Sequence, residues 1–231
     1  MNLLRRGTGA LSDFVGVLRQ VRTDDIAAEA ERHFEIAVVG PRGAGKTTLL
    51  TRLAGGFGEL AEPFSLRRLV ELDTPLGSPA LDAASQSDLV LWLQDVTQPY
   101  VDDSFGLLRS RAPAFLDVGN KADLLDQYNG GASLAEPRVL ISALSSDSVR
   151  QQLVPRILEC TPDLNLALGR TFAIFRPEVA QREIQRFARV NAEVAVVSAI
   201  PQASLILGPV AAVADTFILT KNQAILLLRL A

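Results

Sequence analysis

The chain has 231 residues, 48% of them hydrophobic, enough for one α/β domain of ordinary size with an appendage. A net charge of −3 supplies no global basic field, so no nucleic-acid partner is indicated. Cys160 is the single cysteine and His33 the single histidine, which excludes an intrachain disulfide and any cysteine-rich or multi-histidine metal site.

Met1–Arg6 carries charge without an apolar run after it, so no secretory signal is read there, and a cytoplasmic location is expected. Residues 9–33 read as helical: Leu11, Phe14, Val15, Leu18 and Val21 share one face, and Thr23-Asp24-Asp25 suits the cap of a second short helix. His33 then precedes Glu35–Val39, a buried strand. Gly40-Pro41-Arg42-Gly43-Ala44-Gly45-Lys46-Thr47 follows, and Thr48–Leu53 continues as a helix. That is G-x-x-x-x-G-K-[ST] in the strand–loop–helix setting that makes the motif credible.

Four more apolar runs read as strands: Leu66–Leu72, Leu89–Leu93, Ala114–Val118 and Val139–Ile141. Trp92 inside the second of these reads as core. Stretches of helical length lie between the runs, such as Val101–Arg111. Short strands alternating with helices predict a mainly parallel sheet with right-handed crossovers and flanking helices. Ser146 to about Cys160 should be helical, with Pro155 kinking or restarting it. Asp163–Phe175 reads as a connection with some apolar contacts. A helix from Pro177 to about Ile200, stopped by Pro201, and another from Pro209 to Ala231 form an apolar hairpin. The expected organisation is an N-terminal helical segment over 1–33, a nucleotide-binding domain over 34–160 and the hairpin over 161–231. The final apolar run has no stop signal, so the native chain is expected to continue.

The chemistry gathers at strand ends, where open α/β sheets bind ligands. Glycines let the loop wrap a phosphate chain, and the N–H groups of Gly43, Ala44, Gly45, Lys46, Thr47 and Thr48 can form an anion nest at a helix N-terminus. Lys46 should reach the β- and γ-phosphates, and the Thr47 hydroxyl should ligate Mg²⁺. Asp73, ending its strand, can hold the same Mg²⁺, usually through water. Arg42 could lean over the γ-phosphate or stand solvated at the loop tip. Asn120-Lys121-Ala122-Asp123 follows the third of the four later runs. The Asp123 carboxylate can accept two hydrogen bonds from a guanine edge, where adenine offers no such donor pair. In Ser142-Ala143-Leu144, a backbone N–H can donate to guanine O6. Each short motif is weak alone, and their order and strand-end placement give the specificity.

The motifs GPRGAGKT, DTP, NKAD and SAL resemble those of the translation-factor-related, Era-like GTPases, over about residues 34–160. The resemblance implies a P-loop G domain that binds GTP, GDP and Mg²⁺, with Asn120, Lys121 and Asp123 reading guanine and Lys121 lying over the base. It implies slow GTP hydrolysis in a regulatory switch, with Lys46, Thr47 and Asp73 as the catalytic set. Through Ala199-Ile200-Pro201, Gly208-Pro209, Ala214-Asp215 and Leu219-Thr220-Lys221-Asn222-Gln223, residues 177–231 resemble an apolar helical domain that follows some bacterial G domains and is often described as membrane-associated. The hairpin therefore offers membrane or self-association, placing the protein peripherally or integrally at the inner face of a membrane. Several positions depart from the family pattern. Leu76 stands where D-x-x-G has glycine, no glutamine follows to orient water, and Gly43 replaces an asparagine. Between Gly55 and Leu72 there is no threonine, only Ser65. The missing threonine and glutamine favour an alternative, a non-hydrolysing nucleotide-dependent membrane or scaffold module; a third reading, an ATP-using P-loop enzyme, has NKAD against it.

Overall fold

The computed structural model describes residues 23–55, 69–98, 100, 102–127, 139–199 and 208–230. The rest of the expected N-terminal helix, Ser65, and the turn at Pro201 lie outside the described residues. So do the side chains of Val194 and of residues 196–199 and 208–218.

Five strands form one parallel sheet: β1 (Ile36–Gly40), β2 (Leu69–Asp73), β3 (Leu89–Asp95), β4 (Phe115–Asn120) and β5 (Val139–Leu140). Their spatial order is β2-β1-β3-β4-β5. All four pairings are parallel, with Gly40 opposite Asp73 and Asp95 opposite Asn120. Strands β1 and β3 are buried along their whole length, as expected of central strands covered on both faces, and their sequences are correspondingly continuous apolar runs. This is the α/β architecture the alternating pattern predicts.

Helix α1 (Thr23–Glu31) precedes β1, and α2 (Lys46–Ala54), α3 (Ser78–Gln86) and α4 (Ser104–Arg111) follow β1, β2 and β3 in turn. Trp92 is fully buried in a cluster with Ala37, Val39, Ala84, Val90 and Leu108. Phe105 meets Trp92 edge-on with ring centroids 5.4 Å apart, and Leu72 and Leu76 pack against the same cluster.

The stretch expected to be helical around Pro155 is Ser146–Ser148, a π-helical turn at Val149–Leu153, and helix α5 (Val154–Cys160). Pro155 has no N–H to give the preceding turn and its ring crowds that turn's carbonyl. The wider turn before it relieves both problems without ending the helix. Asp163–Phe175 proves to be more than a connection. It holds a 3₁₀ turn at Pro162–Leu164, helix α6 (Asn165–Thr171) and a second turn at Ala173–Phe175. Its buried Phe172 packs edge-on against Phe34, just before β1.

Two compact units are distinguished. One comprises Ala30–Glu178 and contains the sheet; the other comprises Met1–Glu29 and Val179–Ala231. The second contains most of α7 (Arg176–Ala199) together with α8 (Gly208–Leu230). Within it Arg229 is a nearly buried hub. Its Nε donates to Glu183 at 2.6 Å, and its two terminal nitrogens donate to Glu29 at 3.0 and 2.7 Å. Asn222 donates to Asn191 at 2.8 Å, a second polar tie between α8 and α7. No helix among the described residues is long and apolar enough to cross a membrane.

Candidate functional site

The loop after β1 turns sharply into α2, and two glycines are required by space. A Cβ on Gly40 would sit 2.0 Å from the Leu93 carbonyl oxygen of β3. A Cβ on Gly45 would sit 2.3 Å from the Asn120 amide nitrogen, and Gly45 has φ +93°, a left-handed value that favours glycine. The loop thus curls tightly over the sheet edge and leads into the N-terminus of α2.

Lys46 is buried to 3% exposure and arches back over its own loop. Its Nζ donates to the carbonyls of Gly40 at 3.0 Å and Pro41 at 2.9 Å, and pairs with Asp73 Oδ1 at 2.7 Å. Arg42, at the exposed tip, donates from Nε to Asp73 Oδ2 at 3.1 Å. The bond from Lys46, then that from Arg42, holds the Asp73 carboxyl below the usual carboxylate range despite some desolvation. Thr47 follows Lys46, and its hydroxyl donates to Glu71 on β2, at 3.0 Å to Oε1 and 2.9 Å to Oε2. A hydroxyl with nearby carboxylates is a hard-oxygen set of the kind Mg²⁺ takes, completed by phosphate oxygens and water.

Asn120, at the end of β4, is buried and links three loops. Its Nδ2 donates to the Ala44 carbonyl at 2.7 Å. Its Oδ1 accepts from the Ala143 N–H at 2.8 Å. The phosphate-type loop, the NKAD loop and the Ser142–Leu144 loop are therefore held together by one side chain. Lys121 has φ +65°, which is rare for a residue with a side chain, and its Nζ bonds Asp95 Oδ2 at 2.5 Å. Burial pushes the Asp95 carboxyl up, but Lys121 and two bonds from Thr97 outweigh it, so the net shift is downward. Asp123 is exposed.

In the last loop the Ser142 N–H is bonded to Ser148 Oγ at 2.9 Å, and the Ala143 N–H is taken by Asn120. Among the described residues the Leu144 N–H has no partner, and Leu144 is 71% exposed. Arg52 on α2 fixes this loop from below, donating to the Leu144 carbonyl at 2.7 Å and to Ser146 Oγ at 2.7 Å.

Every residue expected from the motifs thus lies at the C-terminal edge of the sheet, in the loops after β1, β4 and β5 or at the end of β2. Sequence reasoning missed Glu71, Asp95 and Arg52. Asp95 was legible in principle, because β3 runs on to a polar strand end like those of β2 and β4. Glu71 and Arg52 lie outside any motif, and only their partners single them out.

No family model matches the chain, and no curated protein matches it. Among solved structures, the crystal structure of an LAO/AO transport system kinase is similar at 15% identity, over 87% of this chain and 90% of that chain, with a TM-score of 0.36. So loose an overlap carries no argument. The fold stands on the strand order and loop geometry above.

Proposed function

We propose that the protein binds GTP and GDP with Mg²⁺ at this edge, hydrolyses GTP slowly, and works as a regulatory switch. The single observation that supports it most is Asn120. Its one side chain ties the Ala44 carbonyl to the Ala143 N–H, joining the glycine-rich loop to the NKAD and Ser142–Leu144 loops. A seat held together at its centre is what reading a base and its phosphates together requires. The relation to the Era-like GTPases rests on the motifs that supply these loops.

In this reading the N–H groups from Gly43 to Thr48 cradle the phosphates. Lys46 exchanges its Asp73 partner for phosphate oxygens and stabilises charge developing on the β–γ bridge. Thr47 and Asp73 hold Mg²⁺, which when bound neutralises charge on the phosphate oxygens. Asp123 accepts from guanine N1–H and the exocyclic amine, Lys121 lies along the base, and the Leu144 N–H is the donor left for O6. Water is the nucleophile, and cleavage of the γ-phosphoryl bond yields GDP and phosphate.

One observation favours a second reading, nucleotide binding without useful turnover. Leu76, where a mobile glycine would serve a γ-phosphate sensor, packs on the cluster around Trp92. A segment anchored in the core has little freedom to rearrange. Single-turnover GTP hydrolysis separates the two. A rate of about 10⁻⁴–10⁻² s⁻¹, abolished by Lys46→Ala, supports the switch. GTP that stays bound and intact over many hours supports the binding module.

A further inference from the structure

We propose that Glu71 is a further carboxylate of the Mg²⁺ site, occupying a corner of the cation's shell next to Thr47. The inference rests on the nucleotide reading above, because phosphate oxygens and water complete the shell. Along β2 residues alternate faces, so Glu71 shares the face of Asp73, the strand-end carboxylate. The two carboxylates differ in their neighbours. Asp73 is held by Lys46 and Arg42. Glu71 has no lysine or arginine partner among the described residues, and both its oxygens face the Thr47 hydroxyl instead.

The spacing fits a shared cation. Around Mg²⁺ with ligands at about 2.0–2.1 Å, adjacent corners of the octahedron stand about 2.9 Å apart. The Thr47 hydroxyl oxygen is 2.9 Å from one Glu71 oxygen and 3.0 Å from the other. The hydrogen bond thus already holds the two residues at a separation that neighbouring ligands of one cation also adopt. Among the described residues there is no cluster of three or more carboxylate, histidine or cysteine groups. Mg²⁺ needs none, since it is usually bound through one or two carboxylates plus phosphate oxygens.

The test is Mn²⁺ binding to the GDP complex of the full chain, followed by electron paramagnetic resonance of free Mn²⁺, with fluorescent GDP binding in EDTA measured alongside. Glu71→Gln keeps an acceptor for Thr47 but removes the charge. It should weaken Mn²⁺ binding by at least about 10-fold, no less than the loss of an outer-shell partner does. Metal-free GDP binding should be unchanged or tighter, because a negative charge near the phosphates is gone. Glu71→Asp keeps the charge but shortens the reach, and should also lose affinity. Wild-type Mn²⁺ affinity in Glu71→Gln overturns the inference. So does wild-type affinity in Glu71→Asp, which would assign the effect to charge alone. Loss of metal-free GDP binding in Glu71→Gln overturns it too, making Glu71 a prop of the loop. If the wild-type protein binds no GDP, the nucleotide reading fails and takes the inference with it.

Discussion

Asn120 uses both ends of its amide inside the protein, and this makes it the residue on which the candidate site depends structurally. Asn120→Ala would leave the Ala44 carbonyl and the Ala143 N–H without their partner. Each buried group so orphaned costs about 1–3 kcal/mol. Urea denaturation should show a lower midpoint, with weaker nucleotide binding; a wild-type midpoint would contradict the role. Asp95 supplies a pH dependence. Its carboxyl titrates below the usual 3.8 in the folded chain. A depressed value stabilises the fold fully above the unfolded pKa, and that stabilisation is lost as pH falls through the folded value. Asp95→Asn should flatten the acid limb of stability below about pH 4. Equal acid slopes for the two proteins would show that the Lys121 pair contributes nothing. Arg42–Asp73 should contribute little to stability, since Arg42 is 89% exposed.

At the scale of elements, strands and the phosphate loop were legible because their signals are local. Continuous apolar runs mark β1 and β3, and Gly40 to Thr47 carries its own motif. What was not legible depends on partners distant in sequence. The helical character of 165–171 is one case: its apolar residues, Leu166, Ala167 and Leu168, are all buried and show no single amphipathic face. The π-helical turn before Pro155 is another, since proline announces a disturbance but not its form. The tie between α1, α7 and α8 is a third, because Arg229 reaches back 200 positions to Glu29. Replacing Arg229 by Met should break that tie and leave Glu183 buried with only the long contact to Arg186, at 4.0 Å. Removing one partner of a buried pair typically costs about 3–5 kcal/mol. Hydrogen exchange should accelerate in α7 and α8 and much less in the sheet strands. Unchanged protection in those helices would show that Arg229 is not what holds them.

For the whole molecule, the helices after residue 176 carry a prediction of their own. The sequence from Val194 to Ala214 has no charged residue, and about 20 apolar residues suffice to span a bilayer. Pro201 and Pro209 interrupt it, and Asp215 and Lys221 follow in α8. The described helices give no spanning segment. Exposed Leu227 and Leu230 near the end of α8 leave apolar surface available. We expect the full chain to float with liposomes or to self-associate, and a chain lacking residues 177–231 to do neither. A monomer that stays out of liposomes in both GTP and GDP would make these helices structural only.

The central claim is that one edge of the sheet selects guanine nucleotides, and competition for that edge tests it most directly. With fluorescent GDP bound in Mg²⁺, unlabelled GTP should displace it at far lower concentration than ATP. Asp123→Asn should move that preference toward xanthine nucleotides, because the altered edge complements xanthine. Displacement by ATP and GTP at equal concentrations would contradict the account.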